Sequence, residues 1–584
     1  MNESIAVGDR PVQQRAAMKS SMLDRGALIQ WAVFAFTVLL VAAPIVVIAV
    51  QSLQSGPLYD ANREWTFAGY GRLFGSAEFR TALGNSLALA LVSTLVATGV
   101  GVVSAIALVR FDLPGRAWLE AAMLGPIYIS QLVLALGWYV LYGPSGYVSL
   151  MLRQWFGDVP WNLASIPGMG VLGGLAMAPM VMLFCTSSLG LMDASLEDAA
   201  RSAGASPLRV VRSITLPLLR PAIVYSLLLT FVGGLEMLSV PLVFGWPSGL
   251  EFFTTFLLRE TMGHADPDYS MLGAAALSLL VMVALLVLVQ QRLLAQRQRF
   301  VTVRGKAHRP KPINIGRWRW ALFAAFVAYL LAAVVLPMLA LVLRSFVQYL
   351  TPLISPWKFL TIDHYRVLWE QDIYLRSIGN SLVAAGIGAA LTTALIALVS
   401  AVVQRSEFRF ARQLEMVAMF PRAVPGMVVG IGFLWVVLWV PGLQLLHGSL
   451  AIMVIAFAMR DLPSAYATVA PSLLQVGKEI DQSARVVGAS WWRTFRSIVI
   501  PLAKPALLAC YLVVFVSFVK EYASAVFLYA PGNEVIGTTL LSTWAKGEVG
   551  PVAALSAVQL VLTLVLVLAL AWLRGDKSRV TEGD

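Results

Sequence analysis

Long runs without a single charge constrain this chain more than any other feature. Trp31–Val50, Leu83–Val109 and Val552–Trp572 are such runs, and each reaches the ~20 residues that a helix needs to cross the hydrocarbon core of a bilayer. A buried helix of a soluble protein keeps a polar stripe at helical spacing, and these runs have none. Over the whole chain 59% of residues are hydrophobic and 13% are charged, against roughly 25% charged in a soluble domain. The sequence therefore describes an all-α integral membrane protein.

Twelve spans are expected, at 27–50, 83–109, 118–142, 166–190, 221–245 and 271–290, then 319–343, 378–403, 414–440, 449–470, 505–530 and 552–573. Cytoplasmic loops retain Lys and Arg; loops on the N-terminal side of these spans hold about 30 of them and loops on the other side about 10. Both termini are thus expected in the cytoplasm. The net charge of +12 is explained by this topology, and no nucleic-acid partner is inferred. The first span follows a basic start (Arg10, Arg15, Lys19, Arg25) and reads as a retained span rather than a cleaved leader.

The chain repeats itself. Gly84-Asn85-Ser86 recurs at Gly379-Asn380-Ser381, an offset of 295 that also pairs Tyr70 with Tyr365, Pro126 with Pro421 and Gly137 with Gly432. Further on the offset is 284: Pro179 meets Pro463, Gly204 meets Gly488, and Pro217 meets Pro501. The first half therefore carries 11 extra residues, placed in the loop around Tyr142–Pro160. An even number of spans per repeat makes the two halves parallel. The expected division is a tail 1–26, a first six-span domain 27–290, a basic linker 291–318, a second six-span domain 319–573 and a tail 574–584.

The most informative motif is a polar loop between the fourth and fifth spans of each half, Leu196–Pro217 and Ile480–Pro501. Each reads as a short helix, a break at Gly204 or Gly488, a second short helix and a stop at Pro217 or Pro501. The pattern resembles the EAA loop of binding-protein-dependent ABC importer permeases, which reads Glu-Ala-Ala, three residues, Gly, nine residues, Ile, one residue, Leu, Pro. Here its positions are Asp198, Ala199, Ala200, Gly204, Ile214 and Pro217 in one copy, and Gln482, Ser483, Ala484, Gly488, Ile498 and Pro501 in the other, with Arg209 and Arg493 between. The family's Glu is thus Asp in one copy and Gln in the other. The resemblance implies that each short helix docks into a groove of a separate cytoplasmic ATPase subunit, a homodimer. ATP-driven closure of that subunit would swing the permease halves as rigid bodies. No Gly-x4-Gly-Lys-[Ser/Thr] phosphate loop occurs in the chain, so ATP would be used by the partner and no cofactor by this chain.

Six ionisable residues are expected at membrane depth, where charge is costly: Glu236, Arg422, Arg460, Asp461, Lys520 and Glu521. At the 284 offset Glu236 aligns with Lys520, so the two either face each other across the pseudo-twofold axis or line one cavity from opposite sides. They are candidates for a translocation pathway or for charge pairs that only neutralise one another. No catalytic set or metal-ligand spacing is evident. His264, His308, His364 and His447 are scattered, His264-Ala-Asp266-Pro-Asp268 reads as a plain turn, and Cys185 and Cys510 lie inside apolar runs.

Phe515–Ala525 followed by Tyr529–Val535 is similar to the iron(III) branch of that permease family, in which fused double permeases are usual. The resemblance implies a bacterial inner-membrane importer that receives iron(III) from a periplasmic binding protein. Aminoethylphosphonate, thiamine, polyamine and sulfate permeases share the architecture. A secondary transporter would need no repeated docking loop, and a membrane sensor or scaffold would need no polar central path.

Overall fold

The structure is a computed structural model and describes residues 10–192, 195–263, 267–295 and 312–580. The turn at His264 and Asp266 and most of the expected linker lie outside the described residues. Among the described residues ten helices are long and apolar enough to cross a membrane, and two bent helix pairs, each counted as one span, bring the crossings to twelve. Among the described residues the remaining backbone pairing is confined to isolated bridges.

The third and ninth spans are not the straight helices that the apolar runs suggested. Arg116–Tyr128 and Gln131–Phe156 meet at 100°, and Ala411–Ala423 and Gly426–Trp439 meet at 110°. Each break holds a 3-10 turn with its proline, Pro126 or Pro421, where the missing N–H and the ring interrupt the helix. The fifth and eleventh spans begin earlier than expected and end sooner, running Leu208–Leu235 and Trp491–Val519. Pro217 and Pro501 do not stop a helix. A five-residue π turn, Val211–Thr215 or Phe495–Val499, precedes each, and the helix runs on through the proline. Widening the helix there accommodates the ring without breaking the span. The residues inserted in the first half contain a helix of their own, Tyr147–Phe156.

The halves are interlocked by exchange of their first spans. A Cβ on Gly432 of span 9 would lie 2.7 Å from Pro44 Cβ of span 1, and one on Gly137 of span 3 would lie 2.9 Å from the Pro337 carbonyl of span 7. The span 7 contact uses a π turn, Leu331–Val335. Trp138 Nε1 donates to the Ala333 carbonyl at 2.8 Å and the Tyr142 hydroxyl to Ala332 at 2.9 Å. Within the first half, spans 2 and 4 approach closely: a Cβ on Gly101 would meet Val181 Cβ at 2.5 Å, and one on Gly174 would meet Val96 Cβ at 2.5 Å. Small residues permit such backbone approach where lipid offers no hydrophobic drive between helices.

Candidate functional site

The two polar loops fold alike. The short helices are Ser195–Ser202 and Lys478–Val486. Both end in the same cap: Gly204 N–H donates to the Arg201 carbonyl and Ala205 N–H to Ala200, matched by Gly488 to Arg485 and Ala489 to Ala484. This is the double bond pattern of a Schellman motif, with the left-handed residue at C′. Gly204 and Gly488 each have φ +82°, a region that L side chains enter only with strain. Asp198, Ala199, Arg209, Gln482, Ser483 and Arg493 are exposed, Ala200, Ile214 and Ile498 are half-buried, and Ala484 is buried. Apolar side chains are exposed around both turns, Leu208 in the first and Val486 and Val487 in the second.

Sequence reasoning took Asp198 and Gln482 as the acidic position and found it unmatched between the copies. One residue earlier an acid is present in both. Glu197 is buried and meets Arg110 Nη2 at 3.0 Å, while the Thr215 hydroxyl donates to it at 2.8 Å. Asp481 meets Arg405 Nη1 at 2.7 Å, and Arg405 also donates to the carbonyls of Leu473 (2.7 Å) and Val476. Arg110 and Arg405 are the last residues of spans 2 and 8. The signal was present: Arg110 and Arg405 stand at the 295 offset, Glu197 and Asp481 at the 284 offset. The backbone carbonyls of these arginines are also matched. Arg110 O accepts the Ile313 N–H at 2.8 Å, and Arg405 O accepts Trp491 Nε1 at 3.2 Å.

All six ionisable residues expected at membrane depth line one cavity of ≈ 530 Å³ between the halves. Glu236 and Lys520 sit at the C-terminal caps of the shortened fifth and eleventh helices. They share the cavity without pairing: Lys520 Nζ donates to the Ile127 carbonyl at 2.6 Å, and no ion pair within 4.0 Å joins it to Glu236. The charge pair within the cavity is Arg460–Glu521, with both carboxylate oxygens at 2.6 and 2.7 Å from Nη1. The Ser524 amide and hydroxyl complete the Glu521 shell at 3.1 Å each. Asp461 accepts from Ser517 at 3.0 Å, and Arg422 donates to the Tyr225 hydroxyl of the other half at 2.5 Å. The 284 offset left two arrangements open for Glu236 and Lys520, facing each other or lining one cavity from opposite sides. They line one cavity and do not pair, because a pairing depends on where neighbouring helices stop. Among the described residues no cluster of three or more His, Cys, Asp or Glu could hold a metal ion. The Gly-Asn-Ser repeats have a structural role: the Ser86 and Ser381 hydroxyls accept the Phe253 and Ile536 amides at 2.8 Å.

A twelve-span repeat with a charged central cavity and two matched polar loops defines a membrane transport permease. Residues 16–300 and 386–578 match the family described as binding-protein-dependent transport system inner membrane component, and the chain belongs to that family. It is a multi-pass membrane protein of the ABC importer permease class. It is similar to the ferric transport system permease protein FbpB of Actinobacillus pleuropneumoniae, at 27% identity over 88% of this chain and 74% of that one. It is also similar to the probable ABC transporter permease protein y4fN of Sinorhizobium fredii, at 27% identity over 95% and 96%. The spermidine/putrescine permease PotC of Escherichia coli is 28% identical over 44% of this chain and 96% of its own.

Proposed function

We propose that this chain imports iron(III), handed over by a periplasmic binding protein and driven by a separate cytoplasmic ATPase. In this reading both termini and both polar loops face the cytoplasm, and 27–290 and 319–573 are the two permease domains. Asp198–Ala200 and Gln482–Ala484 are the faces that dock into the ATPase, a homodimer. The cavity lined by Glu236, Arg422, Arg460, Asp461, Lys520 and Glu521 is the pathway.

The observation that carries the docking reading is the pair of identically capped, solvent-facing turns with apolar side chains bared beside them, Leu208 at 77% and Val487 at 83% exposure. Exposed apolar groups rimmed by charge mark a partner surface. The iron reading is supported by the ferric permease relative and by the donor chemistry. Glu236 and Asp461 offer oxygen, which hard Fe(III) prefers, and the buried cysteines are poor ligands for it. Scattered carboxylates rather than a ligand cluster suit a route through which an ion must leave as readily as it enters. Arg422 and Lys520 favour a second reading, an anionic substrate such as a phosphonate.

The test is reconstitution in vesicles with the cognate ATPase and binding protein, following labelled iron(III) and labelled aminoethylphosphonate separately. Iron uptake that requires both ATP and the binding protein is expected. Phosphonate uptake with no movement of iron overturns the substrate and leaves the permease architecture in place.

A further inference from the structure

We propose that the buried Arg–acid pair beneath each short helix, Arg110–Glu197 and Arg405–Asp481, is the joint through which movement of that helix reaches the spans. The inference rests on the docking reading above and names residues that the docking face does not include. They are positioning residues, since they touch neither ATP nor substrate.

The geometry gives each joint two attachments. Glu197 lies in the first turn of its helix and holds both the last residue of span 2, through Arg110, and the start of span 5, through Thr215. Residue 499, the counterpart of Thr215, is a valine and has no hydroxyl. The second joint takes its other attachment elsewhere: Arg405 of span 8 grips Asp481 and also the carbonyls of Leu473 and Val476 at the end of span 10. The two halves thus solve one mechanical problem with different second partners. Meanwhile the outward residues of the same helices have diverged, Asp198 to Gln482 and Ala199 to Ser483.

Stability alone does not account for the pairs. Both side chains of the first joint are 3% exposed or less, and those of the second 4% and 13%. Taking two charges out of water costs as much as their attraction returns, so an apolar pair of similar volume would hold a fold equally well. An apolar contact, however, slides. Each ion pair here is held on a further side, Glu197 by the Thr215 hydroxyl and Arg405 by the carbonyls of Leu473 and Val476. The Arg110 guanidinium nitrogens have no hydrogen-bond partner of their own and meet Glu197 as an ion pair alone. A charged contact fixed on two sides resists separation more than an apolar one, which is what a rigid-body stroke requires.

The test uses the full permease with its ATPase. The readouts are the nucleotide-induced change in maleimide labelling of Ser464→Cys, an accessible position in the cavity, and the cross-linking of Val487→Cys to the ATPase. Cys185 and Cys510 are buried and do not compete. Glu197→Gln or Asp481→Asn alone strands a buried arginine and lowers folded yield. The paired variants Arg110→Met/Glu197→Leu and Arg405→Met/Asp481→Leu restore the yield and keep the cross-link. In them the nucleotide-induced labelling change falls at least tenfold. A paired variant with an unchanged labelling response overturns the proposal, leaving the pair a packing feature. Loss of the cross-link together with the response also overturns it, because the pair would then shape the binding surface. If Val487→Cys fails to cross-link with both pairs intact, the docking reading falls and takes this proposal with it.

Discussion

Substituting Gly488 isolates what the capped turn contributes. Its φ is +82°, and a Cβ added there meets nothing within 4 Å. The penalty for a side chain is therefore torsional, with no steric part. Left-handed backbone costs an L residue roughly 1–2 kcal/mol, is tolerated best by Asn, and is worst for β-branched residues. The expected order is thus Asn, then Ala, then Val, with about 2 kcal/mol for Val. Since about 1.4 kcal/mol is a tenfold change in an equilibrium, Val should lower the ratio of capped to uncapped turn by up to about 30-fold, and Ala by up to about fivefold. If the ATPase binds only the capped turn, its apparent affinity falls by the same factor once the capped form is the minority. Titrating the ATPase onto permease in nanodiscs measures this, with helix content by circular dichroism as the control for folding. Gly204→Val should behave alike, because its φ and its open surroundings are the same. Two results would refute the reasoning: Val binding as tightly as Asn, or a loss that follows side-chain volume, with Asn worse than Ala.

Gly432→Leu should disrupt the exchange of first spans, since its Cβ would sit 2.7 Å from Pro44 Cβ and 3.0 Å from the Pro44 carbonyl. Overpacking of about 1–3 kcal/mol should appear as a lowered melting temperature in detergent. Exchanging the charges as Glu236→Lys/Lys520→Glu should not restore transport lost in the single variants, because Lys520 is held by the Ile127 carbonyl and not by Glu236. A double-mutant cycle on uptake should give a coupling below about 0.5 kcal/mol. Replacing Arg460 with Leu should cost more than replacing Arg460 and Glu521 together with Leu and Met, read as folded yield, because the single change strands the Glu521 carboxylate. Trp491→Phe removes the donor to the Arg405 carbonyl and Ile313→Pro the donor to the Arg110 carbonyl; each should lower the melting temperature in detergent by the loss of one hydrogen bond, about 1 kcal/mol, while cross-linking of Val487→Cys to the ATPase is kept.

The sequence by itself determined the spans, the repeat and the loops, because each is written in local chemistry. A bilayer demands about twenty apolar residues per crossing, so the spans are countable. A left-handed cap calls for glycine, so Gly204 and Gly488 mark the turns. Charge is expensive at membrane depth, so Glu236, Arg422, Arg460, Asp461, Lys520 and Glu521 stood out, and they do share one cavity. Only the tertiary structure decided how these pieces meet. The bends at Pro126 and Pro421 and the continuous helices through Pro217 and Pro501 have the same residue with opposite results. A π turn precedes the two continuous helices at Pro217 and Pro501, yet Pro44, Pro179 and Pro463 also lie inside continuous helices, so a proline by itself does not say which span bends. The crossing of spans 1 and 7 to the opposite half depends on contacts between residues hundreds of positions apart. Charge pairing was decided in the same way. The eleventh helix ends at Val519 and the chain turns out of it there, so Glu521 reaches Arg460 while adjacent Lys520 turns to the Ile127 carbonyl. One step along the other helices puts Glu197 and Asp481 inside and Asp198 and Gln482 in solvent. A linear motif records residue types and spacing, and the side of the helix that faces the protein is fixed only when its neighbours are in place.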